Sequence, residues 1–270
     1  IFNDPLSFNN LKLAMISSNG DAEDKYNIIM FFIANKRNYK AMEEYSQWRL
    51  IGSTHKEMTE EYTIDIKNEN QCVSNEQRRN DRARTLLEKF SKAHVYNEID
   101  SEAYKQLLRL NVIEYNRLND NKGVKFDFSI WDNKSLEHIY PKSMFFHTVV
   151  NEETQEIRYV RGDGADISFD KTKDLRNSDT EFSNPSRYSE HCIGNLVLLY
   201  GKNNSEFSNL PFEDKKFKFF HNERKFESRN LLHTISSFAS SKWDIKEIES
   251  SADSFIERFK KDYNIQENNE

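Results

Sequence analysis

The sequence is poor in residues that break or staple a chain, with 7 Gly, 4 Pro and 2 Cys in 270 residues. So few Gly and Pro exclude collagen-like and linker-rich, low-complexity architectures. Cys72 and Cys192 stand far apart and lack the C-x-x-C spacing of zinc ligands; both read as reduced thiols of a cytoplasmic protein. No apolar run approaches the ~20 residues that a membrane span needs. The most apolar stretch, Ile28 to Ala34, reads as buried helical turns. Phosphate-cradling glycine loops, a dinucleotide-binding glycine pattern and a Ser-His-Asp signature are all missing. The chain opens on Ile1 rather than Met, shows no signal-peptide pattern, and is expected to be a fragment of a longer protein.

What is present is aromatic bulk and charge. Twenty Phe and 12 Tyr can fill a core, and the length suits one large domain or two smaller ones. The formal net charge of -6 runs against a basic nucleic-acid binder, but the charge is unevenly spread. Residues 183–230 hold 8 Lys and Arg against 6 Asp and Glu, and the rest of the chain holds 31 against 39. A nucleic-acid face around 183–230 is therefore permitted.

Residues 1 to about 125 read as mostly helical. Leu11, Leu13, Ala14 and Ile16 begin an apolar segment, and Tyr26 to Trp48 keeps helical spacing without an internal Gly or Pro. Further helices are expected over Glu76–His94 and Glu102–Leu118. Arg78, Arg79, Arg82 and Arg84, with Glu76, Asp81 and Glu88 nearby, read as a solvated helix face rather than a phosphate site. A turn is expected at Asn119–Gly123, followed by a short strand in which Val124, Phe126 and Phe128 alternate with polar residues. Residues 143–190 read as an insertion, with a small hairpin or edge strand near Ile157–Val160 and loop over Lys171–Arg187. Leu196–Tyr200 reads as a buried strand, and Gly201–Asn204 as the entry to a helix. Asp244 with Glu247 resembles a capping box opening a last helix to Tyr263, with Ile245, Ile248, Ala252, Phe255 and Phe259 on one face.

Hydrolysis of a phosphodiester needs a base for water and positive charge for the phosphate and leaving oxygen. Glu137 and His138 sit side by side at the expected end of a strand. Asn195 and Asn204, nine residues apart, flank the next strand, so a strand followed by a helix can fold the second amide back onto the first strand. Asn203 is a competing candidate should the turn shift by one residue.

Leu-Glu-His-Ile-Tyr-Pro at 136–141, Ile-Gly-Asn-Leu-Val-Leu-Leu at 193–199 and Asn204 together resemble the HNH, or ββα-metal, nuclease motif. More narrowly, the chain resembles the C-terminal nuclease domain of GmrSD-type modification-dependent restriction enzymes. Phe126-Asp127-Phe128 before the Glu-His-Ile, and Phe207, Asn209, Phe212 and Lys215-Lys216 after Asn204, carry that likeness, which is strongest over about 120–216. It implies an α+β, mainly α fold: a helical region, 1–120, packed on a ββα-metal HNH module, 121–270, with the insertion at about 143–190 and C-terminal helices. It further implies a metal-dependent endonuclease or nickase acting on phage or foreign DNA in bacterial defence. Glu137 and Asn204 would hold Mg²⁺, with Mn²⁺ as the second choice for two oxygen donors. His138 would be the general base, and Asn195 would brace its loop. Lys202, Lys215, Lys216 and His191 would contact nucleic acid. The full-length relatives carry an N-terminal nucleotide-using, modification-sensing domain whose Asp-Gly-Gln-Arg-type motif this chain lacks.

The chain departs from many HNH sites in having Glu137 for Asp and Asn204 for His, and in the 57-residue step from His138 to Asn195. A rival reading keeps the HNH frame as a DNA- or protein-docking surface without turnover. His147, His221 and His233, set among aromatic or leucine residues, read as packing or surface groups.

Overall fold

The computed structural model describes residues 3–18, 21–65, 71–118, 124–161, 182–221 and 227–266. It is mainly helical with small two-stranded sheets, an α+β architecture as expected. The chain divides into two compact units, one of residues 1–89, 104–132 and 258–270, the other of 90–103 and 133–257. The turn expected at 119–123 and the part of the expected loop over 171–181 lie outside the described residues.

The first unit is built from α1 (Pro5–Ile16), α2 (Ala22–Ala34), α3 (Tyr39–Leu50), α4 (His55–Thr59), the hairpin β1 (Tyr62–Asp65) with β2 (Gln71–Ser74), most of α5 (Asn75–Phe90) and α6 (Asp100–Leu118). Leu11, Ala14, Ile28, Phe32, Met42 and Tyr45 form its core, with the Phe31 and Tyr45 rings stacked at 3.9 Å. The single helical stretch expected over Tyr26–Trp48 is broken at 35–38. Asn35 turns its amide onto the Phe31 carbonyl, Arg37 takes a left-handed backbone with φ of 75°, and Asn38 caps α3 through the Ala41 N–H. Three polar residues thus do what Gly or Pro would have signalled. The expected strand at Val124–Phe128 is also absent. Asp127 caps a 3₁₀ turn over Phe128–Trp131, and Phe126 is buried against the edges of Tyr115 and Phe128.

Two arginines of α5 are used internally. Arg82 grips both carboxylate oxygens of Glu57 at 3.0 and 3.1 Å, and Arg79 bonds the Glu57 carbonyl while lying over the Trp48 ring.

In the second unit, β3 (Lys134–His138) pairs antiparallel with β6 (Leu196–Tyr200), so that Glu137 faces Val197 and His138 faces Leu196 in register. All five residues of β6 are buried, which explains its unbroken apolar spelling. The chain passes from β6 straight into α7 (Gly201–Phe207), giving a ββα unit. The Gly201 N–H donates to the Asn133 carbonyl at 2.7 Å and ties the helix start to the beginning of β3. Helices α8 (Phe212–His221), α9 (Leu232–Phe238) and most of α10 (Ile245–Asp262) follow. Between β3 and β6, β4 (Phe146–Val150) and β5 (Ile157–Arg161) form a separate hairpin. Gly194 lies so close to α10 that a Cβ there would collide with the Ile248 carbonyl and stand 2.6 Å from the Ala252 nitrogen. The glycine before Asn195 is thus required by close packing of backbone on backbone.

Candidate active site

β3 presents Ser135 and Glu137 on one side and Leu136 and His138 on the other, as alternation dictates. His138 closes the strand, and the chain turns at Ile139–Pro141. Asn195 holds that turn. Its amide nitrogen donates to the carbonyls of Tyr140 and Glu190, both at 2.9 Å, and its amide oxygen accepts the Tyr140 N–H at 2.8 Å. The Asn195 carbonyl accepts the Ile139 N–H at 2.9 Å. Asn195 is completely buried, with both ends of its amide in use.

Asn204 reaches from α7 back to β3. Its amide nitrogen donates to Ser135 Oγ at 2.5 Å and to the Leu136 carbonyl at 3.1 Å. With the nitrogen fixed on the strand, the amide presents its oxygen as the remaining hard donor. Asn203, the competitor, is buried, and its oxygen accepts both the N–H and the hydroxyl of Ser228 at 3.0 and 2.8 Å. It is an internal strut. Glu137 and His138 thus neighbour each other at the end of β3, and Asn204 of α7 is hydrogen-bonded to the same strand at Ser135 and Leu136.

Lys215 is not where a phosphate contact needs it. It is 1 % exposed, and its ammonium lies 2.5 Å from Glu137 Oε1 and 2.6 Å from the His138 carbonyl. The expected phosphate contact is replaced by an internal ion pair. Lys216 is half-buried, bonding the Ser240 carbonyl at 2.6 Å, and Lys202 is exposed on the first turn of α7. His191 is half-buried beside the base candidate, its Nδ1 lying 3.1 Å from His138 Nε2.

Two aromatic neighbours were not anticipated. The Tyr96 ring meets His138 edge-on at 4.5 Å and stacks on His191 at 5.7 Å. His94 lies 5.9 Å from His191, ring to ring. No local pattern announces either residue. Lys215 did leave a signal, because it falls on the apolar stripe Phe212, Lys215, Phe219 of α8, where a lysine must find a buried partner.

The electrostatics follow from burial. His138 is pushed down to about 3 by burial, helped by His191 when that ring is protonated and by the charges of Lys215 and Lys142, and opposed by Glu190, so the ring is neutral at physiological pH. Burial raises the Glu137 carboxyl above its usual range, although Lys215 pulls it down. Burial likewise lowers Lys215, against the pull of Glu137. Each partner thus remains short of compensating charge.

That shortage is the test of fit for a divalent cation. A carboxylate that one ammonium does not fully compensate gains from further positive charge, and an amide oxygen is a suitable second donor. Among the described residues no group of three or more His, Cys, Asp or Glu is placed to hold a metal. Any cation here would rely on Glu137 and Asn204, with water or phosphate oxygens completing its shell.

Among known proteins, residues 64–258 match the family described as the C-terminal domain of GmrSD restriction endonucleases. No curated protein matches the chain, and no solved structure does. The match covers well over half of the sequence and contains the whole strand pair with its Glu-His and both asparagines. The chain therefore belongs to the GmrSD restriction endonuclease C-terminal domain family, a nuclease family.

Proposed function

We propose that the chain is an HNH-type endonuclease that hydrolyses DNA phosphodiester bonds with a divalent metal, Mg²⁺ or Mn²⁺, as the effector domain of a bacterial restriction protein. One observation carries this reading. An acid and an imidazole at the end of β3 are joined by Asn195, 57 residues beyond His138, holding the turn, and by Asn204, 66 residues beyond it, bonded to the strand.

In this reading His138 takes a proton from the attacking water. Burial keeps the ring neutral, so its lone pair is available. An arriving phosphate replaces solvent with negative charge and raises the basicity of the ring toward the working range. Asn195 fixes the turn from which the ring projects. Glu137 and Asn204 would hold the cation, which when bound neutralises charge on the phosphate and the leaving oxygen. Lys215 holds Glu137 and the backbone of His138 in register. Lys202, exposed beside Asn204 in sequence, is the remaining basic candidate for the DNA backbone.

The test is supercoiled plasmid incubated with the purified protein and Mg²⁺. Wild type nicks the plasmid, EDTA stops it, and His138→Ala lowers the rate by about 10²–10⁴-fold. No nicking by wild type, or equal nicking by His138→Ala, overturns the reading. Metal-independent DNA binding that survives Glu137→Ala and Asn204→Ala would instead identify a docking module.

A further inference from the structure

His138 has two ring nitrogens, and only one can face a water molecule. Nε2 is committed, lying 3.1 Å from Nδ1 of His191. Between two neutral imidazoles at that distance there is one proton, and two arrangements are open. If His191 donates, His138 carries its own proton on Nδ1 and has no lone pair left for water. If His138 donates from Nε2, its Nδ1 is bare and can accept a proton.

Among the described contacts, the far side of His191 favours the second arrangement. Its Nε2 lies 3.9 Å from Oε1 of Glu190, whose carboxylate is buried. That separation exceeds a hydrogen bond, but a buried negative charge still favours an N–H over a lone pair on the nitrogen turned toward it. A proton on His191 Nε2 leaves Nδ1 as the acceptor, so His138 must donate. The order Glu190, His191, His138 then places every N–H toward the carboxylate and the one bare nitrogen at the opposite end.

The cluster is also held in place. The His191 carbonyl accepts the N–H groups of Val95 and Tyr96, each at 3.0 Å. The His191 N–H donates to Ser189 Oγ at 3.0 Å, and that hydroxyl donates to the Ala93 carbonyl at 2.6 Å. The Tyr96 ring, 15° from parallel with His191 and 62° from His138, packs against both imidazoles. The backbone of 93–96 and the Tyr96 side chain therefore fix the angle at which the two rings meet.

We propose that His191 is a positioning residue that sets the tautomer of His138, keeping the proton on Nε2 and the lone pair on Nδ1. Its mechanistic value rests on the nuclease reading, since a tautomer matters only if His138 is a base. The effect is of the kind that a carboxylate exerts on a hydrolase histidine, where the wrong tautomer disables the base without moving it.

The experiment uses the full chain, ¹⁵N-labelled, in EDTA at a pH where both rings are neutral. Long-range ¹H–¹⁵N correlation reports the tautomer of each histidine, and His138 is assigned by its loss in His138→Ala. Wild type is expected to show His138 protonated on Nε2. His191→Asn keeps an acceptor oxygen, so it retains that pattern and a plasmid-nicking kcat within about threefold of wild type. His191→Phe keeps the ring stacking but removes the acceptor, so His138 becomes a tautomer mixture. Its kcat falls in step with the Nε2–H fraction that the spectrum reads, by roughly two- to tenfold, with KM unchanged. An Nδ1–H pattern in wild type overturns the proposal, as does an unchanged tautomer in His191→Phe. The wild-type spectrum decides even if a variant fails to fold. The expected tautomers in a protein that never nicks plasmid support the positioning role and overturn the nuclease reading alone.

Discussion

Glu57 and Glu137 are each 6 % exposed and each is paired with a basic side chain, yet Glu137 lies deeper among protein atoms and the two carboxyls are shifted in opposite directions. For Glu57, in the first unit, burial is outweighed and the carboxyl falls below its usual range. Arg82 grips both oxygens, and one of them also accepts the Thr54 N–H at 2.9 Å. For Glu137, in the second unit, burial wins and the carboxyl rises. The partners differ in kind. The Arg82 side chain stays 32 % exposed, so its charge remains partly hydrated, whereas that of Lys215 is 1 % exposed and is itself desolvated. A planar guanidinium serves two oxygens at once, and an ammonium is a point charge. The first pair is a staple that closes the capping box of α4. The second leaves charge uncompensated beside the candidate base, which is where a site that recruits a cation and a phosphate would be expected to do so.

The sharpest way to break that contrast is to remove Lys215. Lys215→Met leaves a buried carboxylate without its counter-charge and is expected to destabilise the second unit by about 3–5 kcal/mol. Combining it with Glu137→Leu removes both charges and should recover most of the loss. Hydrogen exchange of the β6 amides reads this directly, because those amides are protected only while the strand pair is closed. A cost for Lys215→Met no larger than for an exposed lysine would mean that the pair carries little energy, and the contrast with Glu57 would fail.

A smaller effect separates the two carboxylates by what they attract. Mg²⁺ or Mn²⁺ should stabilise the second unit by about 1.4 kcal/mol at ten times the dissociation constant, by mass action on the folded state. Glu137→Gln should abolish that gain, and Glu57→Gln should leave it intact. Cation-induced protection of the β6 amides that survives Glu137→Gln would place the metal elsewhere.

Much of this arrangement was legible in the sequence. The unbroken run Leu196–Tyr200 is the strand β6, and the Asn195–Asn204 spacing spans one strand and the first turn of the next helix. The fate of Arg78 to Arg84 was only partly legible, because a basic helix face looks the same whether it meets water or the carboxylate of Glu57. What stayed hidden depends on contacts distant in sequence. Tyr96 reaches His138 only because the backbone of 93–96 is hydrogen-bonded to residues 186–191. The interleaving of 90–103 and 258–270 with other segments leaves no mark on composition. The break at 35–38 was missed because Asn35 and Asn38 act through side-chain hydrogen bonds rather than through a forbidden backbone. Lys215 was misread for the opposite reason: its charge suggested solvent, although its place on an apolar stripe already argued for the interior.

The smallest expected effect is the difference in pH dependence. Glu57 has a folded pKa below its unfolded value, so its pairing stabilises the protein fully above about pH 4.5. That contribution is lost as pH falls through the lowered folded value. Arg82→Met, costing about 1–2 kcal/mol at neutral pH, raises the folded value of Glu57, which the Thr54 N–H still pulls down, and its cost should fade only as the pH falls through that value. The sign at Glu137 is reversed. Its folded pKa lies above the unfolded value, so acid protonates it first in the folded state, and the penalty of burying a carboxylate fades as the pH falls toward 4.5. In Lys215→Met, measured in EDTA so that no cation competes, the loss of the ammonium moves that folded value still higher. The cost of Lys215→Met should thus begin to shrink at a higher pH than the cost of Arg82→Met. Urea denaturation of the two variants and wild type between pH 4 and 8, with amide exchange to assign each unit, measures both curves. If the two costs fade together, the carboxylates share one environment, and the excess burial penalty assigned to Glu137 does not exist.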